Sequence, residues 1–100
     1  MSRFDAMQHF IRVADLGSFA AAADQLGVAR SVVTRRIAAL EEHLGVKLIT
    51  RTTRKLTLTS AGTKYLDKCR TILDLVENAE ADVMEARLTP RGHLRLSLPL

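Results

Sequence analysis

The chain has 100 residues, of which 47% are hydrophobic and 26% are charged, and its formal net charge at pH 7 is +4. This length allows one small domain or a domain with an appendage, and the composition is that of a folded protein rather than a disordered one. The single cysteine, Cys69, excludes an intrachain disulfide, and neither a secretory leader nor a run of roughly 20 apolar residues is present, so we expect a reduced, cytoplasmic protein without a membrane partner.

The first helix is predicted over about residues 3–16. Ser2 and Asp5 have the spacing of a capping box, in which a hydroxyl is followed by an acid three residues later. Phe4 and Met7 begin an apolar series at helical spacing, and Gly17 supplies a left-handed C-terminal stop.

Two further helices are predicted before residue 46. Ser18 can cap a helix that contains four successive alanines and ends at Gly27. After a short turn, apolar residues recur at helical spacing until Gly45 stops the third helix: Val33, Ile37, Leu40 and Leu44.

A β-hairpin with a basic tip is predicted next. Residues 47–50 and 55–59 are rich in β-branched and apolar side chains, and the polar segment Arg51-Thr52-Thr53-Arg54 lies between them. Two strands alone are marginally stable, so the hairpin must pack against the helices.

A long helix is predicted from Thr59 or Ser60 to about Leu88. One set of its apolar side chains follows a heptad seam: Tyr65, Cys69, Ile72, Val76, Ala79 and Val83. The helix would be on the order of 43 Å long at 1.5 Å per residue, more than a small domain can cover, although its first turns can pack on their own domain. The seam therefore predicts a homodimer.

The charge of the long helix favours an antiparallel dimer. Residues 60–73 carry a net charge of +2 and residues 74–88 carry −4, so each half would face the opposite charge of the partner helix. One register satisfies the seam and the charges together, and it places Cys69 opposite Ala79, Ile72 opposite Val76 and Tyr65 opposite Val83.

The last residues predict a hinge and one strand. Thr89-Pro90-Arg91-Gly92 breaks the helix, and Leu94, Leu96 and Leu98 alternate with polar residues. Because such a strand has no sheet to join here, we expect the chain to be part of a longer protein. The expected organisation is a small folded domain over residues 1–59, the long dimerisation helix over residues 60–88, and a hinge with the first strand of a further domain over residues 89–100.

Basic residues are concentrated where the third helix and the hairpin lie. Between Arg30 and Lys55 there are seven Lys and Arg residues against two Glu, a net charge of +5 that exceeds the excess of the whole chain. Clustering of this kind is expected of a surface that binds phosphates.

The second and third helices, joined by a turn that contains Gly27, predict a helix-turn-helix. Arg30, Ser31 and Thr34 share the outward face of the third helix, where they can reach base edges in the major groove. Contacts to phosphates, or for the hairpin tip to the minor groove, are expected from Ser18, Arg35, Arg36, Arg51, Thr53, Arg54 and Lys55. Among these, Arg36 points between two faces and has the best claim to a structural role instead. The fold class is mainly α with a small β-hairpin, a winged helix-turn-helix followed by a long dimerisation helix.

Other classes of protein share parts of this pattern. A cationic helix face alone is more often a solvated surface, and only its conjunction with the turn and the hairpin favours DNA. His9, His43, His93 and Cys69 have no metal-ligand spacing, and no phosphate loop or nucleophile motif is present, so neither a metal site nor an enzyme is expected. The alternatives left open are a non-specific architectural DNA-binding protein and a coiled-coil adaptor.

Several stretches together resemble the N-terminal domain of the LysR-type transcriptional regulators. They include Gly17-Ser18-Phe19, Leu26-Gly27-Val28, Val33-Thr34-Arg35, Leu44-Gly45-Val46-Lys47-Leu48, Arg51-Thr52-Thr53-Arg54 and Leu58-Thr59-Ser60-Ala61-Gly62. The resemblance covers about residues 3–98. It implies a dimeric bacterial regulator, or a tetramer in the full-length protein, that binds a near-palindromic operator in double-stranded DNA. It also implies a C-terminal domain that binds a small effector, and no cofactor in this fragment.

The sequence departs from that family at three positions near the DNA. Ala20 and Ala29 stand where the family usually has a hydroxyl, and a missing N-cap oxygen at Ala29 costs about 1 kcal/mol. Arg30 stands where the family often has Gln, which predicts a preference for guanine where relatives favour adenine.

Overall fold

A computed structural model describes residues 2–52 and 55–88, apart from the side chain of residue 88. The elements in chain order are α1 (Arg3–Leu16), α2 (Phe19–Leu26), α3 (Arg30–Leu44), β1 (Ile49–Arg51), β2 (Leu56–Leu58) and α4 (Ser60–Leu88). This order confirms the predicted fold class. The predicted break at residues 89–92 and the predicted strand at residues 94–98 lie outside the described residues.

Local signals set where the first helices begin and end. The Ser2 hydroxyl accepts the Asp5 N–H at 3.1 Å, and the Ser18 hydroxyl accepts the Ala21 N–H at the same distance, so α1 and α2 have the predicted N-caps. The C-caps of α1, α2 and α3 are the three predicted glycines, Gly17, Gly27 and Gly45.

The three short helices enclose one core. Phe10 and Val13 of α1, Ala22 of α2 and Val33 of α3 have no exposed surface. An isolated helix as short as α2, with eight residues, is not stable in water, so its packing against α1 and α3 maintains it. Its small alanine side chains allow the neighbouring helices to come close.

The hairpin is joined to α3 and α4 at its base. β1 and β2 pair antiparallel, with Ile49 opposite Leu58. The Glu41 carboxylate of α3 accepts the backbone N–H groups of Leu48 and Ile49 at 2.8 and 3.1 Å. At Gly62 of α4, an added Cβ would lie 2.1 Å from the Leu48 carbonyl oxygen, so only glycine permits this approach.

The chain divides into two units within α4, after Arg70. In the first unit, the Tyr65 ring lies 5.7 Å from the Phe10 ring, and Arg70 forms an ion pair with Asp15 of α1. Cys69 has no exposed surface. The first turns of α4 therefore belong to the core of the first unit.

In the second unit, α4 exposes large apolar side chains: Ile72, Leu75, Val83 and Met84 are between 42% and 71% exposed. The predicted seam is therefore accessible from Ile72 onward, through Val76, Ala79 and Val83. The prediction that the Cys69 side chain contacts a second copy was wrong, because the chain's own core already covers Cys69. Among the described helices, none is long and apolar enough to cross a bilayer.

Candidate nucleic-acid interface

The turn between α2 and α3 fixes the direction of α3. Gly27 has a φ of 72°, in the left-handed region, and the Val28 N–H donates to the Ala23 carbonyl at 3.0 Å. Val33 and Ile37 of α3 are at most 2% exposed and pack inward. The opposite face of α3 is therefore directed away from the core.

That outer face carries the three residues predicted to contact bases, together with Arg35, which was predicted to contact phosphate. Arg30, Ser31 and Arg35 are exposed and Thr34 is half-buried, and the helical spacing places them side by side. The Thr34 hydroxyl donates to the Arg30 carbonyl at 3.1 Å. Its proton is thus engaged within the helix, and towards a ligand Thr34 can act only as an acceptor. We call Arg30, Ser31, Thr34 and Arg35 the reading face.

Arg36 is turned away from the reading face, contrary to the expectation that it contacts phosphate. Its Nη1 lies 3.1 Å from Nδ1 and 3.2 Å from Nε2 of His9, a residue of α1 that is 8% exposed. Burial, together with the charge of Arg36, lowers the pKa of His9, so the neutral ring is favoured. Two residues after Thr34, the helix has turned by roughly 200°, which directs Arg36 towards α1.

The hairpin brings further cations beside α3. Arg51 and Lys55 are exposed, and the Thr52 N–H donates to the Lys55 carbonyl at 2.9 Å. The guanidinium carbon of Arg51 lies 4.5 Å from the centre of the Phe19 ring at the start of α2. Thr53 and Arg54, predicted as contacts at the tip, lie outside the described residues.

A groove of about 350 Å³ separates α3 from the hairpin. Thr34 of the reading face and Arg51 of the hairpin both line it, together with Phe19 and the partly buried Glu41. The groove therefore joins the reading face to the base of the hairpin as one continuous surface.

The remaining predicted phosphate contact, Ser18, lies at the N-terminus of α2. Its oxygen already accepts the Ala21 N–H, so its hydroxyl proton is available to donate to a phosphate. The first turn of α3 has no such cap, because Ala29 makes no side-chain hydrogen bond, as expected.

Three residues that support this surface were missed in the sequence. His9, Phe19 and Glu41 each contact a basic residue or the hairpin backbone across the fold. Glu41 gave a signal that could have been followed, since it is a carboxylate beside a cationic segment and lies one turn after Ile37. For His9 and Phe19, the sequence contains no signal that distinguishes them from ordinary core residues.

No group of three His, Cys, Asp or Glu side chains in residues 2–52 and 55–88 is arranged to hold a metal ion.

Comparison with known proteins identifies the family. The model of the lysR family of bacterial regulatory helix-turn-helix proteins matches residues 4–63. An HTH-type transcriptional repressor of Pseudomonas aeruginosa is 45% identical over 96 residues, which are 96% of this chain and 30% of that protein. The regulator CrgA of Neisseria meningitidis is 42% identical over 87% of this chain and 29% of its own length. The chain thus spans about a third or less of these relatives.

Solved structures agree with the sequence comparison. The CbnR DNA-binding domain in its DNA complex superposes with a TM-score of 0.79, at 38% identity, covering 86% of this chain and 99% of that one. The BenM DNA-binding domain bound to catB site 1 DNA gives a TM-score of 0.82 at 27% identity, covering 86% and 96%. The chain therefore belongs to the LysR family of bacterial regulatory helix-turn-helix proteins, and its described residues have the fold of that family's DNA-binding domains.

Proposed function

We propose that this chain binds double-stranded DNA with sequence preference, with α3 in the major groove and the hairpin on the adjacent minor groove or backbone. The observation that carries the proposal is the reading face, which is exposed on a helix held by a left-handed turn and lies beside the basic hairpin. A helix-turn-helix uses this geometry to bring the start of its second helix to base edges. The CbnR and BenM neighbours, both solved with DNA, support it.

Within the reading face and on the hairpin beside it, two roles are distinguished in this proposal. Arg30 donates two hydrogen bonds to a guanine, while Ser31 and Thr34 contact neighbouring base edges. Arg35, Arg51 and Lys55 contact phosphates, which fixes position and supplies affinity without distinguishing sequence. Ser18 donates to a phosphate at the start of α2. Thr53 and Arg54 remain predicted contacts of the hairpin tip.

A homodimer completes the proposed reader. The exposed apolar side chains of α4 after Arg70 need a partner, and a second copy supplies an identical stripe. A groove of about 350 Å³ in the first unit offers the partner helix a further apolar surface, lined by Leu44, Val46, Leu48, Ala61 and Tyr65, with Lys64 and Lys68 also lining it. The acidic residues 74–88 of a second copy match these lysines in charge, which favours antiparallel helices.

The dimer determines what kind of site is bound. Two reading faces held at a fixed separation bind two half-sites, so the preferred operator is near-palindromic. The same proposal extends to a longer protein of this family. Such a protein carries a C-terminal domain that binds a small effector, and it assembles into a tetramer. Its place of action is the cytoplasm, where bacterial DNA lies.

Selection of bound sequences from a random DNA pool tests the proposal. We expect enriched, near-palindromic sequences that bind at least ~10³-fold more tightly than unrelated DNA at the same salt concentration. Reversing the charge at Arg35 or Arg51 should abolish binding, whereas Arg12→Glu, an exposed position on α1, is the matched control for net charge.

Two outcomes would contradict the proposal. Equal affinity for all sequences would indicate an architectural DNA-binding protein. If reversing the charge of both Arg35 and Arg51 left binding unaffected, the surface described above would be excluded as the DNA-binding site, and the chain would be better explained as a coiled-coil adaptor.

A further inference from the structure

We infer that Phe19 is a positioning residue for Arg51, and that its ring holds the guanidinium at the place where the hairpin meets the duplex. The inference rests on the proposed function, because the position of Arg51 affects binding only if the hairpin contacts DNA. In this inference Phe19, a residue of α2, contributes to DNA binding without contacting DNA itself.

The geometry is that of a cation–π contact between a fixed ring and an exposed cation. The guanidinium carbon of Arg51 lies 4.5 Å from the ring centre, within the roughly 6 Å over which the ring attracts a cation. Phe19 is 6% exposed and is held by the core, whereas Arg51 is exposed. The ring therefore determines where the guanidinium lies, and not the reverse.

This arrangement leaves Arg51 able to bind phosphate. A guanidinium is planar, and its five N–H donors point outward in that plane. The ring attracts the cation through its π face and needs none of these N–H donors, so they remain available to a phosphate. Arg51 also lines the same groove as Thr34, so it lies next to the reading face.

Positioning matters here because the hairpin is small. Each strand has three residues, and Arg51 is the last residue of β1, next to the turn. A long side chain in such a place loses rotamer entropy when it is immobilised on DNA, and a side chain already held by a ring loses less. The contact therefore lowers the entropic cost of binding, and it links the hairpin to the start of α2.

An ordinary core role for Phe19 makes a different prediction. A core residue would affect stability, and it would affect DNA affinity equally whether or not Arg51 is present. The electron density of the ring face would be irrelevant to such a role, because packing depends on shape. These differences separate the two roles experimentally.

The test is site-specific replacement of Phe19 by phenylalanine carrying one, two or three ring fluorines. Fluorination withdraws electron density from the ring face and almost preserves shape, so the fold is retained, which the thermal unfolding midpoint checks. The dissociation constant for the selected operator is measured at one salt concentration, with Arg51 present and with Arg51→Ala. With Arg51 present, we expect affinity to fall stepwise by roughly two- to fivefold in total. With Arg51→Ala, we expect no change across the series.

The remaining outcomes overturn the inference, and they are distinguishable from failure of the proposed function. A flat series with Arg51 present, while Arg51→Ala still weakens binding, refutes positioning and leaves the hairpin contact intact. An equal slope in both backgrounds assigns Phe19 to the core alone. If Arg51→Ala leaves affinity for the operator unchanged, the inference fails together with the hairpin contact, while sequence preference in the selected pool stands on its own.

Discussion

Arg36 of α3 donates to the ring of His9 of α1, with Nη1 3.1 Å from Nδ1 and 3.2 Å from Nε2. A guanidinium can only donate hydrogen bonds, so the ring must remain neutral to supply a lone pair. The helix that carries the reading face is thereby joined to α1 through an imidazole ring that can accept this hydrogen bond only while it is neutral. The protonation state of His9 therefore determines whether this hydrogen bond between α3 and α1 can form.

Acidification should destabilise the protein through His9. Because the pKa of His9 is lowered in the folded state, first by burial and then by Arg36, the unfolded state binds this proton more readily. The stabilisation is fully present above the unfolded pKa of about 6.5 and is lost as the pH falls from there through the folded pKa. Urea unfolding at pH 7.5 and 5.5 should show a lower free energy of unfolding at pH 5.5, and His9→Gln should reduce that difference.

A second variant separates the two causes. Arg36→Gln removes the nearby charge but keeps His9 buried, so it should reduce the pH dependence less than His9→Gln does. Identical pH dependence in wild type and His9→Gln would show that other groups control stability in this range.

Gly62→Ala should destabilise the protein although alanine is the better helix former. Replacing an exposed helical glycine by alanine stabilises by about 1 kcal/mol, whereas forcing a methyl group into a packed contact costs about 1–3 kcal/mol. Here the added Cβ would lie 2.1 Å from the backbone oxygen of Leu48, an atom that cannot rotate away, so the clash should prevail. Thermal unfolding measures the change, and Asn78→Ala, exposed on the same helix, serves as the control that should not destabilise. A raised midpoint for Gly62→Ala would refute the close approach.

The limits of the helices could be predicted because their signals are local. Ser2 and Ser18 cap the helices that follow them, and Gly17 and Gly27 end helices in the left-handed conformation. Each signal acts within a few residues, so no knowledge of the rest of the fold is needed. The reading face followed from the same logic, because Val33 and Ile37 identify the buried side of α3.

The supporting contacts could not be predicted, because they join residues distant in sequence. His9 and Arg36 are separated by 27 positions, and Phe19 of α2 meets Arg51 of β1 although the whole of α3 lies between them in the chain. A helical pattern shows that a residue is buried but not which side chain lies against it. The cationic pattern of α3 therefore predicts a phosphate contact for Arg36, although its spacing already directs it between two faces.

The heptad seam shows a second limit. An apolar residue at seam spacing can be covered by a partner chain or by its own domain, and the pattern is the same in both cases. Cys69 is covered by its own domain, where burial raises the pKa of its thiol and a hydrogen bond from Tyr65 opposes that shift only in part. Crosslinking through Cys69 therefore cannot report how two copies are oriented.

Cysteines introduced in the exposed part of α4 should report that orientation. In the proposed antiparallel dimer Ile72 faces Val76, so co-refolded Ile72→Cys and Val76→Cys proteins, one carrying a mass tag, should form mixed disulfides. Val83→Cys alone should not crosslink. In this register the two copies of position 83 are 18 residues apart along the helix axis, roughly 27 Å at 1.5 Å per residue. The disulfides are measured by mass spectrometry, with native Cys69 as an internal unreactive thiol. Efficient crosslinking of Val83→Cys would instead indicate parallel helices.

Arg30 should determine the identity of one base in each half-site. Arginine pairs with the O6 and N7 atoms of guanine, and glutamine pairs with the N6 and N7 atoms of adenine. Arg30→Gln should therefore change the selected base at one position from guanine to adenine, and Arg30→Ala should relax selection there at a cost of about 1–3 kcal/mol in binding free energy. Sequencing of selected DNA and titration of operators that differ at that base measure both effects.

The matched control for Arg30 is Arg35→Ala, which removes the same charge from the same helix. If Arg35 contacts a phosphate, its loss should weaken binding to all operators alike and reduce the slope of log affinity against log salt by about 0.9. Arg30→Ala should also change the order of affinities among operators, whereas Arg35→Ala should preserve it. Affinities unchanged by Arg30→Ala across all operators would exclude Arg30 from base recognition, and a changed order with Arg35→Ala would move base recognition towards the C-terminal side of the reading face.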